Sequence, residues 1–128
     1  MGITVDVQLN PAQSGWPELR DMALAAEAAG YGAVWVYDHL AGASIGGDTM
    51  LETFSFLGAL AVSTSTIELG TLVVNVNNRA PGLLAVAAAS IVAISGRPLH
   101  LGLGAGTSPT SRWAAVRLSS DMVEAPCV

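Results

Sequence analysis

Apolar residues recur along this chain first at every second position and then at every third or fourth position, and the two patterns keep alternating. From Ile3 to Leu9, apolar and polar side chains alternate, which predicts a first β-strand. A helix follows at Trp16, because Pro17 and Glu18 suit a first helical turn, and Gly30 ends it. The chain therefore opens with a strand followed by an amphipathic helix.

The same alternation continues through the next seventy or so positions. We predict further strands at Ala33 to Tyr37, Ile67 to about Val74 and Leu99 to Leu103, and further helices from near Thr49 to about Ser63 and from about Gly82 to Ile94. Strands that alternate with helices form parallel sheets, so the predicted fold class is α/β. Four strands fit either an open sheet or half of an eight-stranded barrel. The last helix is apolar almost all round, so we expect it to be buried on several sides, in part against a partner subunit.

The composition is that of one globular domain. Of the 128 residues, 52% are hydrophobic and 12% are charged, and the net charge is -5. No run of Lys or Arg offers a surface for nucleic acid or for an anionic membrane, so neither is expected as a partner. The low charged fraction leaves little polar cover for a monomer, which favours an oligomer.

The sequence features that report on compartment favour the cytoplasm. The single cysteine, Cys127, cannot form an intrachain disulfide, as is usual in a reducing compartment. The first residues lack the basic and apolar regions of a signal peptide. The longest apolar run, Pro81 to Ile94, is shorter than the roughly 20 residues that a membrane-spanning helix needs.

Two titratable residues follow the second predicted strand. Asp38 and His39 stand where this strand gives way to a glycine-rich loop, and ligands bind at the carboxyl ends of parallel strands. The imidazole of His39 could act as a general base or contact a ring cofactor, with Asp38 orienting it or touching the cofactor. The alternative is a loop aspartate with a bystander histidine.

The remaining polar motifs carry weaker signals. The turn from Gly102 to Gly106 would let a ligand approach the backbone, but Thr107 stands where a dinucleotide-binding fingerprint has its third glycine. Arg79 follows an asparagine-rich loop and is interpreted as a solvated surface residue, with attraction of an anion as the alternative. His100 falls inside the fourth strand and is interpreted as structural, since no spacing of metal ligands emerges.

Several of these motifs occur together in the order and at the spacing of one known family. They are Trp16-Pro17-Glu18-Leu19-Arg20, Ala26-Glu27-Ala28-Ala29-Gly30-Tyr31, Val34-Trp35-Val36-Tyr37-Asp38-His39, Asn78-Arg79-Ala80-Pro81 and Leu101-Gly102-Leu103-Gly104-Ala105-Gly106. Over roughly residues 3 to 113, the chain resembles the luciferase-like monooxygenases, and within them the deazaflavin-dependent branch that uses coenzyme F420.

The resemblance implies a TIM barrel, usually dimeric, of which this chain would supply the first four strands. Residues 1–111 would form the amino-terminal half of the barrel, and residues 112–128 would form a divergent tail. The resemblance also implies coenzyme F420 as the cofactor, with FMN as the alternative. The implied partners are a small-molecule substrate and a second copy of the chain in a homodimer.

The resemblance also assigns site residues. The cofactor ring would lie at the carboxyl end of the strands, beside Asp38 and His39. The family often has a bulge with a non-prolyl cis peptide at the end of strand three, which would fall at Leu72-Val73 and support one face of the ring. The other implied cofactor contacts are Asn75, Gly104, Gly106 and Thr107. The sugar-phosphate dehydrogenases of this branch have a glutamate where Thr107 stands, which argues against that reaction.

These inferences lead to competing functional hypotheses. The first is an oxidoreductase that transfers hydride to or from a small organic substrate, with His39 as proton donor or acceptor. The alternative is a catalytically inactive half barrel that dimerises or associates with a full-length relative, because the phosphate site of a TIM barrel lies after strands seven and eight. A third reading, an open sheet that binds a nucleotide, is disfavoured by the glycine spacing.

Overall fold

The computed structural model describes residues 2–106, in which four strands alternate with three α-helices and one short 3-10 helix. The strands are β1 (Val7–Gln8), β2 (Ala33–Val36), β3 (Glu68–Asn75) and β4 (Leu99–Gly104). The α-helices are α1 (Trp16–Ala28), α2 (Thr53–Ser63) and α3 (Pro81–Ser95), and the 3-10 helix is Gly42–Ile45. The sheet order is β1-β2-β3-β4 with every neighbouring pair parallel, which confirms the predicted α/β class. The tail predicted at 112–128 lies outside the described residues.

One face of the sheet is buried under the helices. Val34, Leu69 and Leu99 lie side by side, because the register pairs Val34 with Leu69 and Leu69 with Leu99. Val34 and Leu69 belong to an apolar core that also contains residues of α1, α2 and α3, and the partly buried Leu99 packs against this core. The largest fully buried apolar side chains are Leu19, Leu57, Leu60, Leu69, Val34, Val36 and Val74. The strands of a parallel sheet are rich in apolar residues, so helices must cover them to keep these residues out of water.

The opposite face of the sheet is more polar. Trp35, Gly70 and His100 are paired in register, and the Trp35 ring lies over Gly70, where a Cβ would not fit. The Trp35 ring centroid lies 5.4 Å from that of His100, and Trp35 Nε1 donates to Asp6 (2.9 Å). His100 pairs with Glu68 in the same layer. In a closed barrel these side chains would fill the interior.

The first strand is shorter than predicted. The sequence pattern predicts strand from Ile3 to Leu9, but the structure assigns only Val7–Gln8. In the described sheet β1 is an edge strand, so only β2 provides it with backbone hydrogen bonds. Isolated backbone hydrogen bonds continue beyond it, from Gly32 to Val5 (3.0 Å) and from Leu9 to Trp35 (2.9 Å).

The second helix begins later than predicted, at Thr53 rather than near Thr49. The carboxylate of Glu52 caps the helix by accepting a hydrogen bond from Ser55 N (2.7 Å), which sets the first turn. Thr49 instead donates its backbone N–H to Ala12 O (3.3 Å) in the loop after β1. The glycine-rich stretch before α2 is therefore folded onto that loop.

The third helix is less buried than predicted. Leu84 and Ile91 are its buried residues, whereas Leu83 and Val86 are 61% and 65% exposed. One side of α3 packs against α2 and the sheet, and the described residues leave the other side exposed. Burial of that side against a partner subunit stays a prediction. Within residues 2–106, no helix combines the length and apolarity that crossing a membrane requires.

Glu27, at the end of α1, ties the connection between α2 and β3 to the helix. Its Oε1 accepts backbone hydrogen bonds from Ser65 (2.8 Å), Thr66 and Ile67 (2.9 Å). Desolvation acts to raise the pKa of Glu27, but these hydrogen bonds outweigh it and lower the pKa from 4.5 to about 2. The ionised carboxylate therefore anchors the start of β3.

Candidate functional site

The carboxyl ends of β2, β3 and β4 enclose a cleft of about 330 Å³, a volume typical of small-molecule sites. Its lining residues are Tyr37, Asp38, His39, Leu72, Val73, Asn75, Gly104, Ala105 and Gly106. The structure thus brings together all the predicted site residues that it describes. Thr107, the remaining predicted contact, lies outside the described residues.

The third strand is interrupted at this cleft. The Leu72–Val73 peptide bond is cis, and the register of β3 against β4 shifts between Thr71 and Val74. The expected bulge with a non-prolyl cis peptide is therefore confirmed at the expected place. Leu72 and Val73 are 53% and 38% exposed, whereas Val74 is buried in the core. The bulge thus presents aliphatic surface to the cleft.

Glycines form the wall of the cleft on the β4 side. A Cβ on Gly104 would overlap the Val73 side chain, and one on Gly106, whose φ is +75°, would overlap the side chain of Asn75. Gly104 O accepts a hydrogen bond from Val76 N (3.0 Å), which draws the ends of β3 and β4 together. Because Val73 and Asn75 occupy the positions that the two Cβ atoms would take, glycine is required here for the ends of β3 and β4 to pack closely, and both glycines line the cleft with backbone.

The carboxylate of Asp38 is buried, with its side chain 1% exposed, and is surrounded by hydrogen-bond donors. Arg79 binds it through Nη1 (2.6 Å) and Nη2 (2.9 Å), and Thr53 Oγ1 donates to it at 2.8 Å. The backbone N–H of Asn75 (3.0 Å) and the side-chain amide of Asn78 (3.2 Å) complete the set. Asp38 therefore links the ends of β2 and β3 to each other and to α2.

Arg79 is the counterion of this carboxylate, and its interpretation as a solvated surface residue is wrong. Its side chain is 10% exposed, pairs with Glu52 as well as Asp38, and lies 5.0 Å from the centroid of the Phe54 ring. Burial acts to lower the pKa of the guanidinium, but the two carboxylates outweigh it and raise the pKa. Burial likewise acts to raise the pKa of Glu52, but hydrogen bonds from Ser55 and Arg79 lower it.

His39 is half-buried at the start of the loop that follows β2. Its ring lies edge-on to that of Tyr37, with centroids 5.4 Å apart and ring planes at 78°. The Tyr37 hydroxyl donates to the side chain of Asn10. Burial raises the pKa of Tyr37, although a hydrogen bond that its oxygen accepts from the backbone of Ala12 acts to lower it. His39 Nδ1 lies 3.5 Å from Ser44 Oγ in the 3-10 helix. Among residues 2–106, His39 forms no ion pair.

The sequence does not predict several contributors to this site, among them Arg79 as a partner of Asp38 and the cleft neighbours Tyr37 and Ser44. Tyr37 could have been found, because it precedes Asp38 and His39 directly in the strand. Arg79 lies 41 positions from Asp38, and no local pattern reports such a distance. Ser44 reaches His39 only through the conformation of the loop.

A second cleft, of about 600 Å³, opens at the amino-terminal end of the sheet. Asp6, Glu27, Glu68, Trp35 and His100 are among its lining residues. The structure therefore places the two histidines of the chain at opposite ends of the sheet. In the described part of the chain, no group of three or more His, Cys, Asp or Glu side chains is placed to hold a metal ion.

The chain is similar in sequence to characterised enzymes. Residues 2–122 match the family model described as luciferase-like monooxygenase. The F420-dependent glucose-6-phosphate dehydrogenase of Nakamurella multipartita is 35% identical over 97 residues, which are 75% of this chain and 29% of that enzyme.

Solved structures share the fold. The coenzyme F420 dependent tetrahydromethanopterin reductase from Methanopyrus kandleri superposes with a TM-score of 0.74 at 24% identity, over 92% of this chain and 31% of that one. The oxygenating constituent of 3,6-diketocamphane monooxygenase from Pseudomonas putida, in complex with FMN, gives a TM-score of 0.74 at 18% identity, over 93% of this chain and 34% of that one.

This chain spans about a third of the length of these relatives. The described residues form four parallel strands connected by three α-helices, the arrangement of the first half of a TIM barrel, which agrees with the predicted fold class. Because the family model matches nearly the whole chain and the fold agrees with it, the chain belongs to the luciferase-like monooxygenase family.

Proposed function

We propose that this chain contains the part of the active site at which a flavin- or deazaflavin-dependent oxidoreductase moves hydride between a cofactor ring and a small organic substrate. The observation that carries the proposal is the cleft at the strand ends, where an imidazole, an aliphatic bulge and a glycine wall line one space. Coenzyme F420, or alternatively FMN, would supply a ring that accepts or donates hydride. We favour coenzyme F420 because the relative that is 35% identical is named for it.

The residues present fit such a ring. Leu72 and Val73 offer aliphatic surface against which a planar aromatic group packs well, since burying apolar area is favourable. On the β4 side, Gly104 and Gly106 line the cleft with backbone rather than with side chains. The volume of about 330 Å³ is suited to the ring rather than to a whole nucleotide cofactor.

We assign proton transfer to His39. When a hydride leaves a carbon that carries a hydroxyl group, the hydroxyl proton must leave as well, and in the reverse direction the oxygen gains a proton. An imidazole can take or give that proton near neutrality. Asp38 already accepts five hydrogen bonds, so we assign it the positioning of this segment rather than proton transfer.

Fluorescence titration with coenzyme F420 and with FMN tests binding, and cofactor absorbance in the presence of small alcohols and carbonyl compounds tests turnover. We expect the unsubstituted chain to bind cofactor saturably. The His39→Ala variant should still bind cofactor but should lose the substrate-dependent absorbance change. His100→Ala is the matched control and should keep both properties, because His100 lies at the opposite end of the sheet. Failure to bind either cofactor would overturn the proposal.

A second candidate is a non-catalytic half barrel that associates with another copy of itself. In the described part of the chain, the edge strands β1 and β4 each have one neighbour, and open edges favour pairing. Exposed apolar residues support the same idea, with Leu101 at 38% and Leu103 at 57% on β4. Sedimentation equilibrium measures the solution mass, and a monomer that binds cofactor tightly would contradict this candidate.

A further inference from the structure

We infer that Ser44 is a positioning residue that holds neutral His39 with its proton on Nδ1, so that the lone pair of Nε2 is available to a substrate in the cleft. This is the opposite of the preference of a free histidine, whose neutral ring mostly carries its proton on Nε2. The catalytic consequence rests on the proposed function, whereas the tautomer itself does not.

The hydrogen bonds of Ser44 fix the direction of its contact with His39. Ser44 Oγ donates to Ala41 O at 2.7 Å. A hydroxyl group has one proton, so Ser44 Oγ can only accept from any further partner. That partner is His39 Nδ1, at 3.5 Å. The contact can be a hydrogen bond only when Nδ1 carries the proton. The distance of 3.5 Å is at the outer limit for a hydrogen bond.

No other described residue competes for the ring of His39. Tyr37 approaches it edge-on, and the Tyr37 hydroxyl donates to Asn10. The carboxylate of Asp38, the residue that precedes His39, is paired with Arg79. Within residues 2–106, Nε2 of His39 therefore has no hydrogen-bond partner, and its lone pair is available to a substrate.

The 3-10 helix that carries Ser44 is held in place by close backbone packing. A Cβ on Gly42 would overlap Thr49 O, and one on Gly47 would overlap Ala12 O. Thr49 N donates to Ala12 O (3.3 Å), and Gly47 N donates to Gly42 O (2.9 Å). Because the segment is fixed on both sides, the hydroxyl of Ser44 is presented to His39 from a defined direction.

This arrangement determines which atom exchanges the proton. If a bound cofactor ring took hydride from the substrate carbon, Nε2 would take the hydroxyl proton and the substrate would become a carbonyl compound. His39 is then an imidazolium, and Ser44 continues to accept from Nδ1–H. The proton returns to solvent before the next turnover. In the reverse direction, Nε2 gives the proton to the substrate oxygen.

The tautomer can be read directly by NMR of the chain without cofactor. In ¹⁵N-histidine-labelled protein at a pH where the ring is neutral, the chemical shifts of a protonated and a bare ring nitrogen differ widely. The chain has 2 histidines, so His100→Gln assigns the signals. We expect His39 to show a protonated Nδ1 and a bare Nε2. Ser44→Ala should move the ring towards Nε2–H, and Ser44→Thr should restore the original shifts.

A matched control is Ser90→Ala, because Ser90 Oγ also donates to a backbone carbonyl, Val86 O at 2.7 Å, but on α3. It should leave the shifts of His39 unchanged. A proton on Nε2 in the unsubstituted chain, or shifts unaffected by Ser44→Ala, would overturn the inference. If the expected tautomer is found and no cofactor binds, the proposed function fails and the tautomer assignment stands. In an active protein, Ser44→Ala should lower kcat roughly 5- to 10-fold, the loss of one neutral hydrogen bond, with KM unchanged.

Discussion

Replacing Arg79 by methionine should destabilise the fold strongly, because it leaves the carboxylate of Asp38 buried without its counterion. The side chains of Asp38 and Arg79 are 1% and 10% exposed, so water does not take the place of the guanidinium. Three donors would remain on the carboxylate, from Thr53, Asn75 and Asn78. They satisfy its lone pairs in part but do not neutralise its charge.

The expected loss can be estimated from this geometry. Removing one partner of a buried ion pair costs about 3–5 kcal/mol. Loss of the contact between Arg79 and the Phe54 ring, 5.0 Å away, adds about 0.5–1 kcal/mol. The three hydrogen-bond donors that remain on Asp38 offset about 1 kcal/mol of this loss of stability. We therefore expect Arg79→Met to lower the free energy of unfolding by about 2.5–5 kcal/mol. That is a large part of the roughly 5–15 kcal/mol typical of a whole domain.

Urea unfolding followed by circular dichroism measures this loss. Arg20→Met is the matched control, because Arg20 pairs with Asp21 on the surface, where the two side chains are 44% and 64% exposed. It should change the free energy of unfolding by less than about 1 kcal/mol. The double variant Asp38→Asn/Arg79→Met should be more stable than the sum of the single variants predicts, with a coupling of about 1–3 kcal/mol.

Equal losses in Arg79→Met and Arg20→Met would refute the reasoning, since a desolvated carboxylate cannot lose its counterion at so small a cost. Strictly additive single variants would refute it as well. If Arg79→Met does not fold, refolding of the double variant with Asp38→Asn would still support the argument, because it removes the unpaired charge. Failure of both to fold would contradict it.

Three further predictions concern residues outside this ion pair. Since the folded pKa of Glu27, about 2, lies below its ordinary value of 4.5, the ionised carboxylate stabilises the fold above that value, and the contribution is lost as the pH falls towards 2. Screening at a partly exposed side chain limits it to about 1 kcal/mol, so Glu27→Gln should flatten the acid-induced fall of the urea midpoint, and an unchanged fall would contradict this. Gly106→Ala should weaken cofactor binding measured by fluorescence, because its Cβ overlaps Asn75, whereas Gly96→Ala, also at positive φ but in open space, should not; equal binding would refute the steric argument. Gly58→Ala should stabilise α2 by about 0.5–1 kcal/mol in thermal unfolding, since the new Cβ meets only ordinary contact and helix propensity improves; a lower melting temperature would count against it.

Much of the fold could be predicted because periodicity is a local property of the chain. The types and order of the elements follow from it, and α3 was located to within a residue at each end. The errors fall where a local signal is absent or is overruled by contacts. Ile3 to Val5 alternate like a strand, but the residues of an edge strand pair only where a neighbour runs alongside. Thr49 to Leu51 look helical, but Glu52 caps the helix after them.

The candidate site divides in the same way. Asp38 and His39 could be placed at a strand end because the strand pattern stops there, and the register shift in β3 was expected only by resemblance to a family. The contacts that Asp38 and His39 make could not be predicted. The partner of Asp38 comes from 41 positions away, and a loop brings Ser44 beside His39.

By itself, the sequence determined that this protein is a parallel α/β chain of luciferase-like pattern with an acid and an imidazole at the end of its second strand. Only the tertiary structure decided that Arg79 neutralises Asp38 inside the fold and that the ring of His39 remains outside any described ion pair. The physical reason is that element type depends on neighbours in the chain, whereas charge, burial and proton position depend on neighbours in space.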